Sequence, residues 1–128
     1  MAIQKVLNIE DDYFKHNNIQ RALKLNGINH IDHAINAEEG IQKVLESIKS
    51  EQAYDIIVVD MHFKVDGEYS SEAGMHVIQR LKSKGIEIPI IVCSSMNLMI
   101  PEVVGCIYYH ETRDLNLDLK EMLREVKN

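Results

Sequence analysis

A chain of 128 residues, 45% hydrophobic and 27% charged, is long enough to bury a core and short enough to form one domain, 1-128. Its longest apolar runs are far too short to span a bilayer. The opening Met-Ala-Ile-Gln-Lys lacks the apolar core of a secretory leader, so no membrane insertion and a cytoplasmic location are expected. A net charge of −6, with 20 Asp and Glu against 14 Lys and Arg, argues against direct nucleic-acid binding, whose affinity comes from neutralising phosphates.

In chain order, Lys5–Ile9 reads as a strand that runs into Glu10-Asp11-Asp12. Three adjacent acids repel one another unless a cation or basic group sits among them. Asp12 reads as the N-cap of the next helix, which leaves Glu10 and Asp11 at the carboxyl end of the strand. Residues 13–26 predict a helix with a loose apolar stripe of Phe14, Ile19, Ala22 and Leu23, stopped at Gly27. Residues 28–35 form a weaker strand whose polar Asn29, His30, Asp32 and His33 suit a sheet edge. Asn36 and Glu39 then spell a capping box, and Ile41, Val44, Leu45 and Ile48 mark the inward stripe of a second helix.

The strongest stretch is Tyr54–Asp60, where four β-branched residues run into one carboxylate. Continuous rather than alternating apolarity indicates a strand buried on both faces. Asp60 at its end either starts a turn or faces the crevice in which open α/β sheets bind ligands. Residues 61–71 are polar, hold Asp66-Gly67, and read as a long loop for function or mobility. Ser71 caps a helix to Lys84, with Val77, Ile78 and Leu81 inward and Gly85 at its end. Residues 88–93 form a second buried strand ending at Ser94-Ser95, with Pro89 tolerated only near its start. Residues 96–104, interrupted by Pro101, leave room for a turn or two of helix before a strand over 105–109. Leu115, Leu119, Met122, Leu123 and Val126 mark the last helix. Cys93 and Cys106 lie in strand-like runs and are expected to be reduced, buried and inert.

Five βα units with a degraded fourth helix predict an α/β fold. It is a doubly wound five-stranded parallel sheet of order 2-1-3-4-5, flavodoxin-like, with a short or missing fourth helix. In that order the carboxyl ends of strands one, three and four bring together Glu10-Asp11, Asp60 and Ser94-Ser95. Three carboxylates beside a hydroxyl suit a hard divalent cation, and Mg2+ accepts few protein ligands in an all-oxygen shell. A carboxylate facing such a metal is also a candidate phosphoryl acceptor, the metal and the hydroxyl balancing charge on the transferred group. The six histidines lack a metal-ligand spacing, and no P-loop or dinucleotide fingerprint occurs.

Val-Leu-Asn-Ile-Glu-Asp-Asp, Asp-Ile-Ile-Val-Val-Asp and Pro-Ile-Ile-Val-Cys-Ser-Ser occur in an order that resembles the receiver domain of two-component response regulators, the CheY-like superfamily, over essentially the whole chain. The resemblance implies that Glu10 and Asp11 are the acidic metal pair and Asp60 the phosphoacceptor. It also implies that the Ser94 hydroxyl meets the phosphoryl group and that the backbone carbonyl of His62 completes the Mg2+ ligands. Three features depart from the family. The loop after Met61-His62-Phe63 has grown and lacks the usual proline, with Gly74 later than expected. The fourth helix is short or lost. The lysine expected at the end of the fifth strand is absent, and Tyr109, or His110 with a one-residue shift, stands there. Lys64 in the enlarged loop is a candidate replacement cation.

The leading expectation is a stand-alone, phospho-accepting regulatory domain rather than an enzyme. A histidine kinase or phosphotransfer protein would phosphorylate Asp60, and output would pass through protein contacts, because no effector domain follows the last helix. The missing lysine keeps a phosphate-independent pseudo-receiver as the alternative. A Mg-dependent phosphohydrolase ranks lower: haloacid-dehalogenase-like enzymes need a second Asp two residues past the nucleophile, and His62 stands there.

Overall fold

Five short parallel strands form the centre: β1 (Lys5–Ile9), β2 (His30–Ala34), β3 (Ile56–Val59), β6 (Ile90–Ser94) and β7 (Gly105–Tyr108). The computed structural model describes residues 2–127. The strand order is β2-β1-β3-β6-β7. Once the small hairpin β4 (Phe63–Val65) and β5 (Glu68–Ser70) is set aside, this is the expected 2-1-3-4-5 order. The polar strand β2 lies at an edge, where its charged side chains reach water.

Side-chain alternation splits the core into two layers. Leu7, Ile9, Ile57, Val59, Ile90 and Val92 face α2 (Ala37–Lys49) and α3 (Ala73–Ser83). Val6, Ile56, Val58, Ile91, Cys93 and Ile107 face α1 (Tyr13–Leu25) and α4 (Leu115–Lys127). Burial on both faces is why β3 and β6 read as unbroken apolar runs.

Several helix assignments hold. The Asp12 carboxylate accepts from the amides of Phe14 and Lys15, and the Asn36 side chain accepts from Glu39 at 2.8 Å. Others shift. Phe14 is 74% exposed, and the buried stripe of α1 is Lys15, His16, Ile19, Ala22 and Leu23. In α2 the inward positions are Ala37, Gly40, Val44 and Ser47, while Leu45 and Ile48 are exposed. Gly40 is needed there because a Cβ would run into the Ile9 side chain. Ser71 is not a cap: α3 starts at Ala73 after Glu72, and the Ser70 hydroxyl accepts from the Glu72 amide.

No helix forms between β6 and β7. Residues 95–104 run as bends and turns and rejoin the sheet where Val104 N–H donates to Ile90 O at 2.9 Å. The enlarged loop after β3 is not a loose polar excursion. It folds into the β4–β5 hairpin, turned at Asp66 and Gly67, both with positive φ (52° and 82°). That is the geometry which makes Asp-Gly a hairpin turn. Phe63 is fully buried and Val65 packs against the α2/α3 core, so the hairpin has an apolar anchor despite its polar composition. The Asp66 amide donates to Glu38 on α2 at 3.1 Å. Beyond the hairpin, Gly74 donates to Met61 O, and a Cβ at 74 would overlap the Asp60 carbonyl and the Met61 sulfur. The hairpin is extruded between two points of backbone that stay in contact.

Candidate functional site

The strand register brings the expected residues to one edge. Ile9 pairs with Val59 and Val59 with Val92, so Glu10, Asp60 and Cys93 follow at one level. Alternation then decides which way they lean. Glu10 continues the Val6-Asn8 side of β1, and Asp60 continues the Ile56-Val58 side of β3. That side is the one covered by α1.

Helix α1 answers with a cation. Lys15, on its first turn, places Nζ 2.9 Å from Glu10 Oε1, 3.0 Å from Asp60 Oδ1 and 2.7 Å from the Cys93 carbonyl. Lys15 is 6% exposed and Glu10 1%. Burial by itself would lower the Lys15 pKa, but the carboxylates of Asp60 and Glu10 outweigh it and hold the ammonium above the ordinary lysine range. Glu10 moves well above the usual carboxylate range, mainly through burial, with the lysine opposing and Asp60 adding to the rise. The Cys93 thiol is pushed up to about 12 by burial, and both cysteines are free, with Cys106 half-buried.

The carboxylates of Glu10, Asp11 and Asp60 offer oxygens that all lie within 4.8 Å of one another. Glu10 Oε1 is buried, and its polar contact among the described residues is the Lys15 ammonium at 2.9 Å. An oxygen-only set of three converging carboxylates fits a hard divalent cation. One ammonium among three carboxylates also leaves a deficit that such a cation matches.

The other expected residues lie on the segments that follow β3, β6 and β7. Ser94 is buried at the end of β6, one residue beyond the level of Asp60, and its hydroxyl accepts from the Met96 amide at 3.1 Å. His62 is half-buried where the chain turns from Asp60 into β4. Tyr109 follows β7, but its hydroxyl accepts from Asn18 Nδ2 at 2.7 Å, and the Lys15 ammonium lies 5.2 Å from its ring centre. Tyr109 therefore flanks a cation rather than replacing one. His110 is exposed, stacks on Tyr108 and bonds to Thr112. Lys64 lies over the ring of Tyr69, 5.8 Å from its centre, and forms no ion pair with the three acids.

Two groups of contacts around the cluster have no sequence signal. Tyr69, on β5, donates to Asp11 Oδ2 at 2.6 Å, so the hairpin leans on the acidic cluster. Behind the cluster, Asn8 Nδ2 donates to Val58 O, and Asn8 Oδ1 accepts from His16 Nδ1 at 2.7 Å. The His16 ring stacks on His33 at 3.6 Å, and His33 Nε2 donates to the Glu10 carbonyl at 2.6 Å. Burial and the neighbouring His33 lower the His16 pKa to about 4, which keeps the ring neutral. Lys15 sits on the buried stripe of α1, a placement that its residue type alone does not state. It lies four residues before Ile19 and seven before Ala22, on the inward stripe that Phe14 is not part of.

No protein-family model and no curated protein matches the chain. Solved structures do. A DNA-binding response regulator of the LuxR family from Staphylococcus aureus superposes with a TM-score of 0.73 at 16% identity, over 98% of this chain and 100% of that one. In the CheX–CheY–BeF3–Mg complex from Borrelia burgdorferi the match has a TM-score of 0.77 at 16% identity, over 98% and 90% of the two chains. The chemotaxis response regulator CheY4 of Vibrio cholerae matches at 0.65 and 18% identity, over 97% and 99%. The chain has the fold of CheY-like response regulator receiver domains along nearly its whole length. Among the described residues no helix is long and apolar enough to cross a membrane.

Proposed function

We propose that this chain is a receiver module that accepts a phosphoryl group on Asp60 and passes the signal on through protein contacts. The observation that carries the reading is the convergence of the Glu10, Asp11 and Asp60 carboxylates within 4.8 Å at the carboxyl edge of a receiver-type sheet. Glu10, Asp11, Asp60 and the carbonyl of His62 would hold Mg2+. When bound, the metal would neutralise charge developing on the transferred group.

The chain's own residues account for the rest. A carboxylate oxygen of Asp60 attacks phosphorus. The P–N bond of a phosphohistidine on a kinase or phosphotransfer protein breaks, and the imidazole departs with the electron pair and takes a proton. Ser94, at the end of the neighbouring strand, supplies a hydroxyl for a phosphoryl oxygen. Lys15 pairs with Asp60 Oδ1 at 3.0 Å, and the other carboxylate oxygen is the one that attacks. The ground for a phosphate-independent reading was the lack of a cation beside Asp60. Lys15, 3.0 Å away, is a cation in that place and supports the phospho-accepting reading.

The test is acetyl phosphate treatment with and without Mg2+, read by intact-protein mass spectrometry. Wild type should gain the mass of one phosphate, dependent on Mg2+, and Asp60→Asn should gain none. No gain in wild type would refute the proposal.

A further inference from the structure

This inference rests on the reading of Asp60 as the acceptor and concerns the cation that reading requires. We propose that Lys15, delivered by the first turn of α1, is the catalytic cation that binds the phosphoryl oxygens as they arrive on Asp60. Helix α1 thereby does what the end of β7 cannot, since it carries Tyr109 and an outward His110.

Three observations carry the assignment. The ammonium already touches the acceptor, at 3.0 Å from Asp60 Oδ1. No other Lys or Arg among the described residues forms an ion pair with Glu10, Asp11 or Asp60, and Lys64 sits on Tyr69 instead. The surroundings hold Lys15 in place. The Cys93 carbonyl accepts one of its protons, and the Tyr109 ring, fixed by Asn18 from the next turn of α1, walls it on another side. A buried ammonium whose donors are aimed in advance needs little reorganisation when charge develops next to it. As the bond from Asp60 to phosphorus forms and the donor bond breaks, with its electron pair leaving on the donor, the negative charge spreads over the phosphoryl oxygens. Lys15 can then exchange its contact with Glu10 for one of those oxygens, which is a short move for an unbranched side chain. The alternative role is a mere counter-ion that keeps the carboxylates buried.

The experiment compares wild type, Lys15→Gln and the double variant Lys15→Gln/Tyr109→Lys. Each is treated with acetyl phosphate and Mg2+ and followed by mass spectrometry, with near-ultraviolet circular dichroism to establish folding. Lys15→Gln should be phosphorylated at least about tenfold more slowly, the scale of one lost charge-assisted bond. A lysine at 109 enters beside the same space, so the double variant should regain much of the rate. A counter-ion role alone would lower stability but leave the phosphorylation rate of the folded Lys15→Gln protein unchanged. Lys15→Gln at the wild-type rate, or a double variant with no recovery, would overturn the assignment while leaving Asp60 as the acceptor. Wild type that gains no phosphate would instead bring down the acceptor reading itself. Should Lys15→Gln fail to fold, wild type labelled with 15N-lysine decides: the Lys15 ammonium resonance should shift on adding beryllofluoride with Mg2+, and an unmoved resonance overturns the proposal.

Discussion

Replacing Lys15 by methionine should destabilise the protein by about 3–5 kcal/mol at neutral pH without divalent cations, the cost of breaking a buried ion pair from one side. Methionine keeps most of the apolar stem, so packing changes little and the loss isolates the charge. The lysine makes two ion contacts, at 2.9 and 3.0 Å. Between full charges each would be worth roughly 6 kcal/mol in gross Coulomb energy at an effective dielectric near 20, and the Glu10 contact delivers less because burial holds part of that carboxyl protonated at neutral pH. Burying the ammonium cancels a large part of that sum. What methionine cannot cancel is the exposure problem it leaves behind, since Glu10 is 1% and Asp60 8% exposed and both lose their partner. A domain of this size has about 5–15 kcal/mol in hand, so the variant should still show a folded baseline. Urea unfolding followed by circular dichroism measures the change, with the m-value checked for constancy. Adding Asp60→Asn to the methionine variant should recover part of the loss, because one orphaned charge is gone. Mg2+ should raise the midpoint of the methionine variant more than that of wild type. A loss below about 1 kcal/mol with an unchanged m-value would refute the reasoning, since the carboxylates would then not depend on Lys15.

Three further outcomes follow from neighbouring contacts. His16, at about 4 instead of the ordinary 6.5, has a lowered folded pKa. The stability it contributes is complete above 6.5 and is lost as pH falls toward 4, because the unfolded chain takes up the proton first. An NMR titration in which the His16 ring protonates near 6.5 would contradict this. Tyr69→Phe removes the 2.6 Å bond to Asp11 and frees that oxygen for a metal, so divalent-cation affinity by calorimetry should rise a few-fold; unchanged or weaker binding would count against the hairpin leaning on the site. Gly74→Ala places a Cβ against the Asp60 backbone and should cost about 1–3 kcal/mol, although the same change inside a free helix would stabilise by about 0.5–1 kcal/mol; a raised melting temperature would refute the contact.

Most of the fold and the acidic half of the site were legible in the chain. The β-branched runs at Ile56–Val59 and Ile90–Val92 can satisfy their apolar side chains only in the middle of a covered sheet, and the polar 30–33 segment only at its edge. Those two facts, with right-handed crossovers, favour the strand order that the structure has. Strand order in turn determines that Glu10, Asp11 and Asp60 meet, because residues at the carboxyl ends of neighbouring parallel strands cannot be far apart. The hairpin was harder. Each of its strands has only three residues, too few for alternation to register, although Asp66-Gly67 was the turn signal and Phe63 the anchor.

Lys15 belongs to the part that only the tertiary structure decided. A lysine is ordinarily assigned to the solvated face of a helix, since burying an unpaired ammonium is prohibitive. That rule inverts when two carboxylates and a carbonyl wait at the point where the helix face meets the sheet, and no local pattern states where that point lies. It depends on the rotation of α1 about its axis, which turns Phe14 out and Lys15 in, and on the alternation that leans Glu10 and Asp60 toward α1. Rotation and lean come from packing between elements distant in the chain. The residue types of the acidic cluster were therefore readable in sequence, while the partner that balances their charge became visible only once the layers were stacked.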